Sequence, residues 1–427
     1  MLADTRETTA VIFTAPSRRD RWVVSAAELA PDCAYLARSQ ASAELSPSYL
    51  VDVANRARSG GLGIVLAHTH PLDAGLPDFS SVDDAGEHRL LAFFKGRVPG
   101  PAHMAFVLAQ NGARARHFGA GASVNIDIVG RNLVTLPGGK PATEPEISDI
   151  YDRQVRAFGV SGQRRIKGFA VAVVGLGGTG SVAAQELALL GASRFLLIDP
   201  DRLEITNRNR VLGAGHDDIG ALKVDVAARA IRSINAEAEV EVLAGDILDA
   251  AVAARLPEVD VIFLCTDSHA SRAAVAEIAY QHLMPTFDMG VAIKVEDGDV
   301  RQVTGRVQML SPGLACLVCS GALDSGAIRL ELMPDAHRKA DPYFAGEGVP
   351  QPAVVSINAT VSSLAVSMFL AAVTGLPLAA RHQWYDGIAG TVRSIGAKPA
   401  PNCLVCSAHG ALGQGSLRVP LNRGSGS

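Results

Sequence analysis

The chain carries no surplus of positive charge. Its 39 lysines and arginines stand against 43 aspartates and glutamates, a formal net charge of −4. Nothing is left over to pair with a nucleic-acid backbone or an anionic membrane, so a small-molecule or protein substrate is expected. The N-terminus, Met-Leu-Ala-Asp-Thr-Arg-Glu, lacks the unbroken apolar core of a secretory signal, and a cytoplasmic protein is expected. Charge is absent altogether from Gly348 to Ala380, a stretch long enough to cross a bilayer. Pro350, Pro352, Asn358, Gly375 and Pro377 interrupt it, with many Ser, Thr and Ala between. That composition predicts a buried helix over Ser356–Thr374, packed on a sheet or a second subunit. Cysteine is scarce: Cys33, Cys265, Cys316, Cys319, Cys403 and Cys406 are the full set. Four of them form two Cys-x-x-Cys pairs in a chain without an export signal, which argues for metal rather than disulfides.

What is there divides in two. At 427 residues, 48% hydrophobic and 19% charged, the chain is an ordinary globular sequence long enough for two or three domains. The reading sets a mixed α/β domain over 1–135, a turn-rich linker over 136–148, a nucleotide-binding domain over 149–415 and a flexible tail over 416–427. In the first domain strands are expected at Ala10–Phe13, Trp22–Ser25, Gly63–His70, Met104–Leu108 and Val124–Val129, and helices at Ser46–Ser59 and Val82–Phe94.

The strand from Gly63 ends in His68-Thr69-His70-Pro71. Side chains at i and i+2 share one face of a strand, so both imidazoles can reach one ion. Downstream, Ser80-Ser81-Val82-Asp83-Asp84 supplies a carboxylate at the start of a helix. Two His and one Asp leave a fourth position on zinc for water, the arrangement of a hydrolytic site. The pattern of His-x-His, a spacer and Ser-x-x-Asp resembles the JAMM (JAB/MPN) metalloprotease family. The resemblance implies zinc ligands at His68, His70 and Asp83, and Ser80 as a contributor to oxyanion binding. This chain has a longer spacer than usual, and its doubled aspartate leaves Asp84, counted from Ser81, as an alternative third ligand. The general base is expected to be a Glu on an early element. Glu7, before the run Ala10–Phe13, is the choice, with Glu28 and Glu44 as alternatives.

The second domain is organised around Gly168–Asn209. A strand at Ala170–Val174 runs into Gly175-Leu176-Gly177-Gly178-Thr179-Gly180, a helix follows over Ser181–Leu190, and a strand at Phe195–Ile198 ends in Asp199. The glycines let a nucleotide phosphate approach the backbone at a helix N-terminus, and Asp199 lies at the offset of a ribose-binding acid. Alone, this would indicate a nicotinamide site. Asp201, Asn207-Arg208-Asn209-Arg210, Lys223 and Asp267, after the strand Val261–Leu264, change the reading. Several cations and acids around one phosphate loop suit an enzyme that activates a carboxylate with MgATP.

These landmarks, in this order, resemble the ThiF/MoeB and ubiquitin-activating (E1-like) adenylyltransferase superfamily. The resemblance implies a Rossmann-like ATP-binding fold in which Gly175, Gly177, Gly178 and Gly180 form the nucleotide loop. It places Asp199, with Asp201 nearby, on the ribose, sets Asn207, Arg210 and Lys223 on the phosphates, and gives Asp267 the Mg²⁺. Arg153 matches an arginine that enters the neighbouring subunit's site, which implies a homodimer. Cys316, Cys319, Cys403 and Cys406 have the spacing of a structural four-cysteine zinc site. The segment Ser320–Ala353, where many ubiquitin-activating enzymes carry a thioester cysteine, has none. Cys265, at a strand end, is expected to be buried and inert, and Cys33 has no motif.

The sum is a bifunctional enzyme of a prokaryote-type ubiquitin-like pathway. One activity adenylates the terminal Gly of a ubiquitin-like protein; the other is a zinc-dependent (iso)peptidase that cleaves after that Gly. The adenylate passes to a partner thiol, either an E2-like conjugating enzyme or a sulfur donor. The alternatives are a sulfur-carrier adenylyltransferase of cofactor biosynthesis, and an activating enzyme whose N-terminal domain is a non-catalytic docking module.

Overall fold

From Thr9 to Arg18 the chain is rich in β-branched and small apolar residues, mostly buried, and forms the strand β1. It belongs to a computed structural model that describes residues 1–18, 20–119, 121–139, 147–333 and 351–422. The chain divides into two units: Met1–Ile128 with Leu133–Pro145 and Leu412–Val419, and Val129–Asn132 with Glu146–Ala411 and Pro420–Ser427.

In the first unit β1 is followed by β2 (Arg21–Leu29), the small ribbon β3 (Tyr35–Arg38) and β4 (Ala43–Leu45), and α1 (Pro47–Gly60). Then come β5 (Gly63–Thr69), α2 (Ser81–Arg97), β6 (Met104–Ala109), β7 (Gly112–His117), β8 (Ser123–Val124) and the ribbon β9 (Ile126–Val129) with β10 (Leu133–Leu136). The main sheet runs β2-β1-β5-β6-β7-β8. Both helices start on a serine cap: Ser46 accepts from the Tyr49 amide at 3.3 Å, with Pro47 in the first turn, and Ser80 caps α2. Val11, Phe13, Val53, Ile64 and Phe94 close the core between sheet and helices.

The second unit is a doubly wound sheet. Its elements are α3 (Asp152–Gly168), β11 (Ala170–Val174), α4 (Gly178–Leu189), β12 (Arg194–Ile198), α5 (Lys223–Ile234), β13 (Glu239–Leu243), α6 (Ala250–Ala253), β14 (Val261–Leu264) and α7 (His269–Gln281). There follow β15 (Thr286–Glu296), β16 (Asp299–Leu310), α8 (Ser325–Leu332), α9 (Val355–Thr374), β17 (His382–Asp386) and β18 (Thr391–Ser394). The order is β13-β12-β11-β14-β15-β16-β17-β18. The pairs from β13 to β15 are parallel and those from β15 to β18 antiparallel. All five residues of β11 are buried, as a parallel strand covered on both faces requires. β11 has β12 on one side and β14, reached from β13, on the other. Ligands of such sheets bind in the crevice expected at this switch point, outside the strands' C-terminal ends.

The uncharged stretch supplies α9. By length and composition it could cross a membrane, yet half of its 20 residues are buried within the unit. Phe369, fully buried, meets Phe169, Phe263 and Phe287 edge-on at 5.7 to 6.1 Å.

The C-terminal boundary differs from the sequence reading. Leu412–Val419 belongs to the first unit, not to the end of the nucleotide domain and the start of a loose tail. The turn Gly415–Leu417 packs on β1 and β2, and Ser416 Oγ donates to the Ser17 carbonyl at 3.0 Å. Parts of the proposed linker (140–146) and tail (423–427) lie outside the described residues.

Replacing Phe369 with Ala removes a ring from three aromatic contacts and leaves a cavity. It is expected to lower the unfolding free energy by about 3–5 kcal/mol in urea titrations. A loss under about 1 kcal/mol would contradict this packing.

Candidate functional sites

In the first unit β1 and β5 are antiparallel, with Thr9 opposite His68. The pairing continues past the strand ends, because Thr69 N–H donates to the Thr8 carbonyl at 3.1 Å and Thr8 N–H to Thr69 Oγ1 at 2.9 Å. One further step brings Glu7 opposite His70. The backbone of Glu7 is held on its other side too: its amide donates to the Ser39 carbonyl and Arg38 Nε donates to its own carbonyl, at 2.8 and 2.7 Å.

His68, His70 and Asp83 converge, with ligand atoms all within 4.8 Å of one another. His68 Nε2 stands 3.3 Å from His70 Nε2 and 3.2 Å from Asp83 Oδ1, and His70 Nε2 lies 3.8 Å from Asp83 Oδ2. Burial raises the Asp83 pKa, but the hydrogen bond and charge of His68 and the hydrogen bonds from Ser80 outweigh it and hold the carboxyl well below the usual range. Glu7, buried at 8% exposure, shifts the other way. Burial pushes its carboxyl up against the opposing influence of His68 and His70, which places it beside the cluster. A carboxylate that holds protons readily is equipped to accept one.

The doubled aspartate divides its work. Asp83 turns to the histidines, whereas Asp84 pairs with Arg116 at 2.6 Å. Ser80 is engaged as a helix cap: its amide and hydroxyl donate to Asp83 Oδ2 at 2.7 and 2.8 Å, and its oxygen accepts from the Asp83 amide at 3.2 Å. Of the alternative bases, Glu28 is bound to Arg56 at 3.0 Å and Glu44 lies exposed on β4. Sequence reasoning missed Asp73, whose Oδ2 lies 3.1 Å from His70 Nδ1. The signal that could have found it is the His-Pro-x-Asp turn.

In the second unit the loop glycines divide into kinds. Only Gly175 needs a left-handed backbone (φ +88°), and its amide hooks the end of β11 to the Ile198 carbonyl at 2.8 Å. Gly180 has an ordinary helical position, but a Cβ there would lie 1.8 Å from the Gly175 carbonyl oxygen. At Gly178 a Cβ would meet Asn358 Nδ2 of α9 at 2.0 Å. Gly177 alone faces open space, with no atom within 4 Å of where its Cβ would be. It is also the N-cap of α4, which starts at Gly178, three residues before the Ser181 expected from sequence, and brings no side chain to the first-turn amides. Asn358, 5% exposed beneath this loop, was another omission. Its signal was an amide in an otherwise apolar helix.

Asp199 is buried at the end of β12 and accepts from the amides of Leu176 and Asp201 at 2.6 and 2.8 Å. Burial pushes its carboxyl up, against those bonds and the charge of Lys223. Lys223, at the start of α5, holds Asp201 at 2.7 Å. Arg210 donates to the Thr206 carbonyl at 2.6 Å and Asn207 Oδ1 accepts from the Glu204 amide at 3.2 Å, so both are turned to their own loop. Asp267 is exposed after β14, and Arg153 is exposed on the first turn of α3. Burial pushes the Cys265 thiol up, as expected of an inert cysteine.

The four paired cysteines also come together. Cys316 Sγ is 3.5 Å from Cys403 Sγ, and Cys319 Sγ is 3.6 Å from Cys406 Sγ. A disulfide would need about 2.0 Å. A tetrahedral ion with bonds of about 2.3 Å sets its sulfurs roughly 3.8 Å apart, so the set fits zinc.

A nucleotide-loop sheet with this crevice and a four-cysteine cluster defines an α/β adenylation-type fold. The ThiF family pattern matches residues 151–405, more than half of the chain, and the chain belongs to that family. Among curated relatives, ubiquitin-like modifier-activating enzyme 5 of Arabidopsis thaliana is 32% identical over 221 residues, 45% of this chain and 49% of that protein. The enzyme of the same name from Oryza sativa subsp. japonica is 30% identical over 178 residues, 38% of this chain and 40% of the relative. The chain thus spans less than half the length of these relatives. Among solved structures, E. coli MccB with MccA-N7isoASN superposes with a TM-score of 0.51 at 20% identity, over 61% of this chain and 76% of that one. The likeness supports the fold.

Replacing Cys316 with Ser is expected to remove one zinc equivalent per chain, by metal analysis of the purified protein, and to lower thermal stability. Unchanged zinc content would show that this cluster holds none.

Proposed function

We propose that this chain acts twice on the C-terminal glycine of a ubiquitin-like protein. The second unit activates it as an adenylate, and the first cleaves a peptide or isopeptide bond after it. The bare head of α4 carries the first half: open Gly177, with Asp199 hydrogen-bonded to the adjoining Leu176, Lys223 acting on Asp199, and Asp267 after the neighbouring strand β14, lies where the strand order reverses. Amides without a capping side chain at a helix N-terminus favour an anion, and the glycines let a phosphate reach them. The curated relatives are named as activating enzymes of ubiquitin-like modifiers, which favours a protein carboxylate as the second substrate.

In this reading Asp199 receives the ribose hydroxyls, with Asp201 nearby. Lys223 exchanges Asp201 for phosphate, and Arg210 leaves the Thr206 carbonyl and joins Asn207 on the triphosphate. Arg153 comes from a second copy, making the working enzyme a homodimer. Asp267 would hold Mg²⁺, which supplies charge neutralisation on the α-phosphate and the leaving pyrophosphate. The terminal carboxylate attacks the α-phosphorus and pyrophosphate departs. With no cysteine in Ser320–Ala353, the acyl group goes straight to a thiol on a partner, an E2-like conjugating enzyme or a sulfur donor.

For the second half, three ligand atoms within 4.8 Å fit zinc with a position left open. Held by His68, His70 and Asp83, zinc would supply an acidified water and polarise a carbonyl. Glu7 takes the proton and delivers it to the leaving amine. Ser80, assigned to the oxyanion by resemblance, acts through Asp83 as well, because it orients that carboxylate. Both halves need the same glycine-ended tail, so one chain keeps that substrate at high local concentration.

ATP–pyrophosphate exchange driven by a glycine-ended ubiquitin-like protein is expected to fall at least about 100-fold in Lys223→Ala and Asp267→Asn. Exchange at the wild-type rate in both would remove the activating role. Cleavage of a Gly-extended substrate is expected to fall about 10²- to 10⁴-fold in Glu7→Gln. Undiminished cleavage there would falsify the hydrolytic mechanism.

A further inference from the structure

An imidazole has two ring nitrogens, and only one of those of His70 faces the cluster. Its Nε2 is on the side of His68 and Asp83, while its Nδ1 lies 3.1 Å from Asp73 Oδ2. The chain brings this about locally. Pro71 fixes the backbone just after His70, and the Asp73 amide donates to the His70 carbonyl at 3.2 Å, closing a four-residue turn. The turn folds the Asp73 side chain back onto the imidazole of the residue that began it.

Both ends of the turn are anchored. The His70 amide donates to the Leu108 carbonyl of β6 at 2.9 Å. Past the turn, Asn111 Nδ2 donates to the Ala74 carbonyl, and Leu76 sits over Gly112, where a Cβ would come within 2.5 Å of it. The spacer between His70 and Ser80 is therefore fixed to the β6–β7 hairpin, and Asp73 keeps its place.

We infer that Asp73 is a positioning residue for the metal at this site, accepting the Nδ1 proton of His70 so that Nε2 presents its lone pair to zinc. The inference rests on the reading of His68, His70 and Asp83 as a metal site. A neutral imidazole carries one N–H and one lone pair, and an ionised carboxylate can only accept. With Asp73 on Nδ1, the proton belongs there and Nε2 is left as the ligand. The carboxylate also fixes the ring about its axis and increases the donor strength of Nε2. Asp73 itself is half-exposed, 52% for the side chain, so orientation rather than a buried charge is its contribution. His68 has no such helper in the turn; its ring rests edge-on against Phe79 at 6.3 Å.

The test is zinc affinity of the full chain by chelator competition, which needs no turnover. The zinc to follow is the one lost in His68→Ala and kept in Cys316→Ser. Asp73→Asn leaves only a neutral carbonyl oxygen to accept from Nδ1–H in place of the carboxylate, and Asp73→Ala offers nothing. Each is expected to weaken this zinc about 10- to 100-fold. Asp78→Asn, on the same loop and paired with Arg114 at 3.2 Å, is expected to leave it unchanged. Wild-type affinity, within about twofold, in both Asp73 variants would overturn the inference while leaving the metal site standing. Equal weakening by Asp78→Asn would also overturn it, by showing a general effect of the loop. A wild-type chain with no His68-dependent zinc would overturn the metal site and this inference together.

Discussion

The second unit depends on how closely α4 approaches β11. The Gly175 carbonyl points into the space a Cβ on Gly180 would occupy, 1.8 Å away, and Gly178 lies as tightly over Asn358. Helix, strand end and α9 can meet at this distance only because two side chains are missing. The approach aims the first turn of α4 into the crevice above the strands. It also leaves Gly177 as the one loop glycine with open space where a Cβ would be. The constraint is therefore steric before it is electrostatic: packing places the helix, and the exposed amides follow. The cluster around the fully buried Phe369 supports the same arrangement from below, since α9 supplies both that ring and Asn358.

Much of this was legible in the sequence. The strand Ala170–Val174 and the strand Val261–Leu264 were bounded correctly because each is a short apolar run ended by turn residues, and a fully buried parallel strand has no other pattern. The two histidines on one face of β5 follow from a period of two. What the sequence hid were partners distant in the chain. Nothing local says that Asn358 lies under Gly178, or that Arg116 takes up Asp84 and thereby leaves Asp83 for the histidines. The roles of the four glycines were also invisible one by one. A pattern of glycines announces a loop, but only geometry separates the one that needs φ > 0 from those that need an absent side chain. The C-terminal boundary misled because Leu412–Val419 is polar and glycine-rich, a composition that looks loose until its backbone finds β1.

The two candidate sites use one architectural device with opposite electrostatics. Each lies where a strand ends and a helix begins, β5 to α2 in the first unit and β11 to α4 in the second. A helix N-terminus carries partial positive charge that some acceptor must answer. In α4 the cap is Gly177, which has no side chain, so the answer has to come from outside and an anion is favoured. In α2 the answer is built in. Ser80 and Asp83 cap one another, and Asp83 Oδ2 satisfies both the amide and the hydroxyl of Ser80. Its other oxygen, turned to His68, remains available, and the charge left over at that end is negative.

That difference decides which ligand each unit can hold. A capped helix with a surplus carboxylate beside two imidazoles can no longer attract a phosphate, but it presents the mixed nitrogen and oxygen set that a borderline cation such as zinc accepts. The uncapped helix above a glycine turn offers its amides to phosphate. Residue choice at two cap positions, glycine in one and serine with aspartate in the other, thus makes one helix start receptive to an anion and the other to a cation. Under the proposed function the first kind of site would hold nucleotide phosphate while a terminal carboxylate attacks phosphorus, and the second would hold the ion that helps release such a carboxylate from an amide.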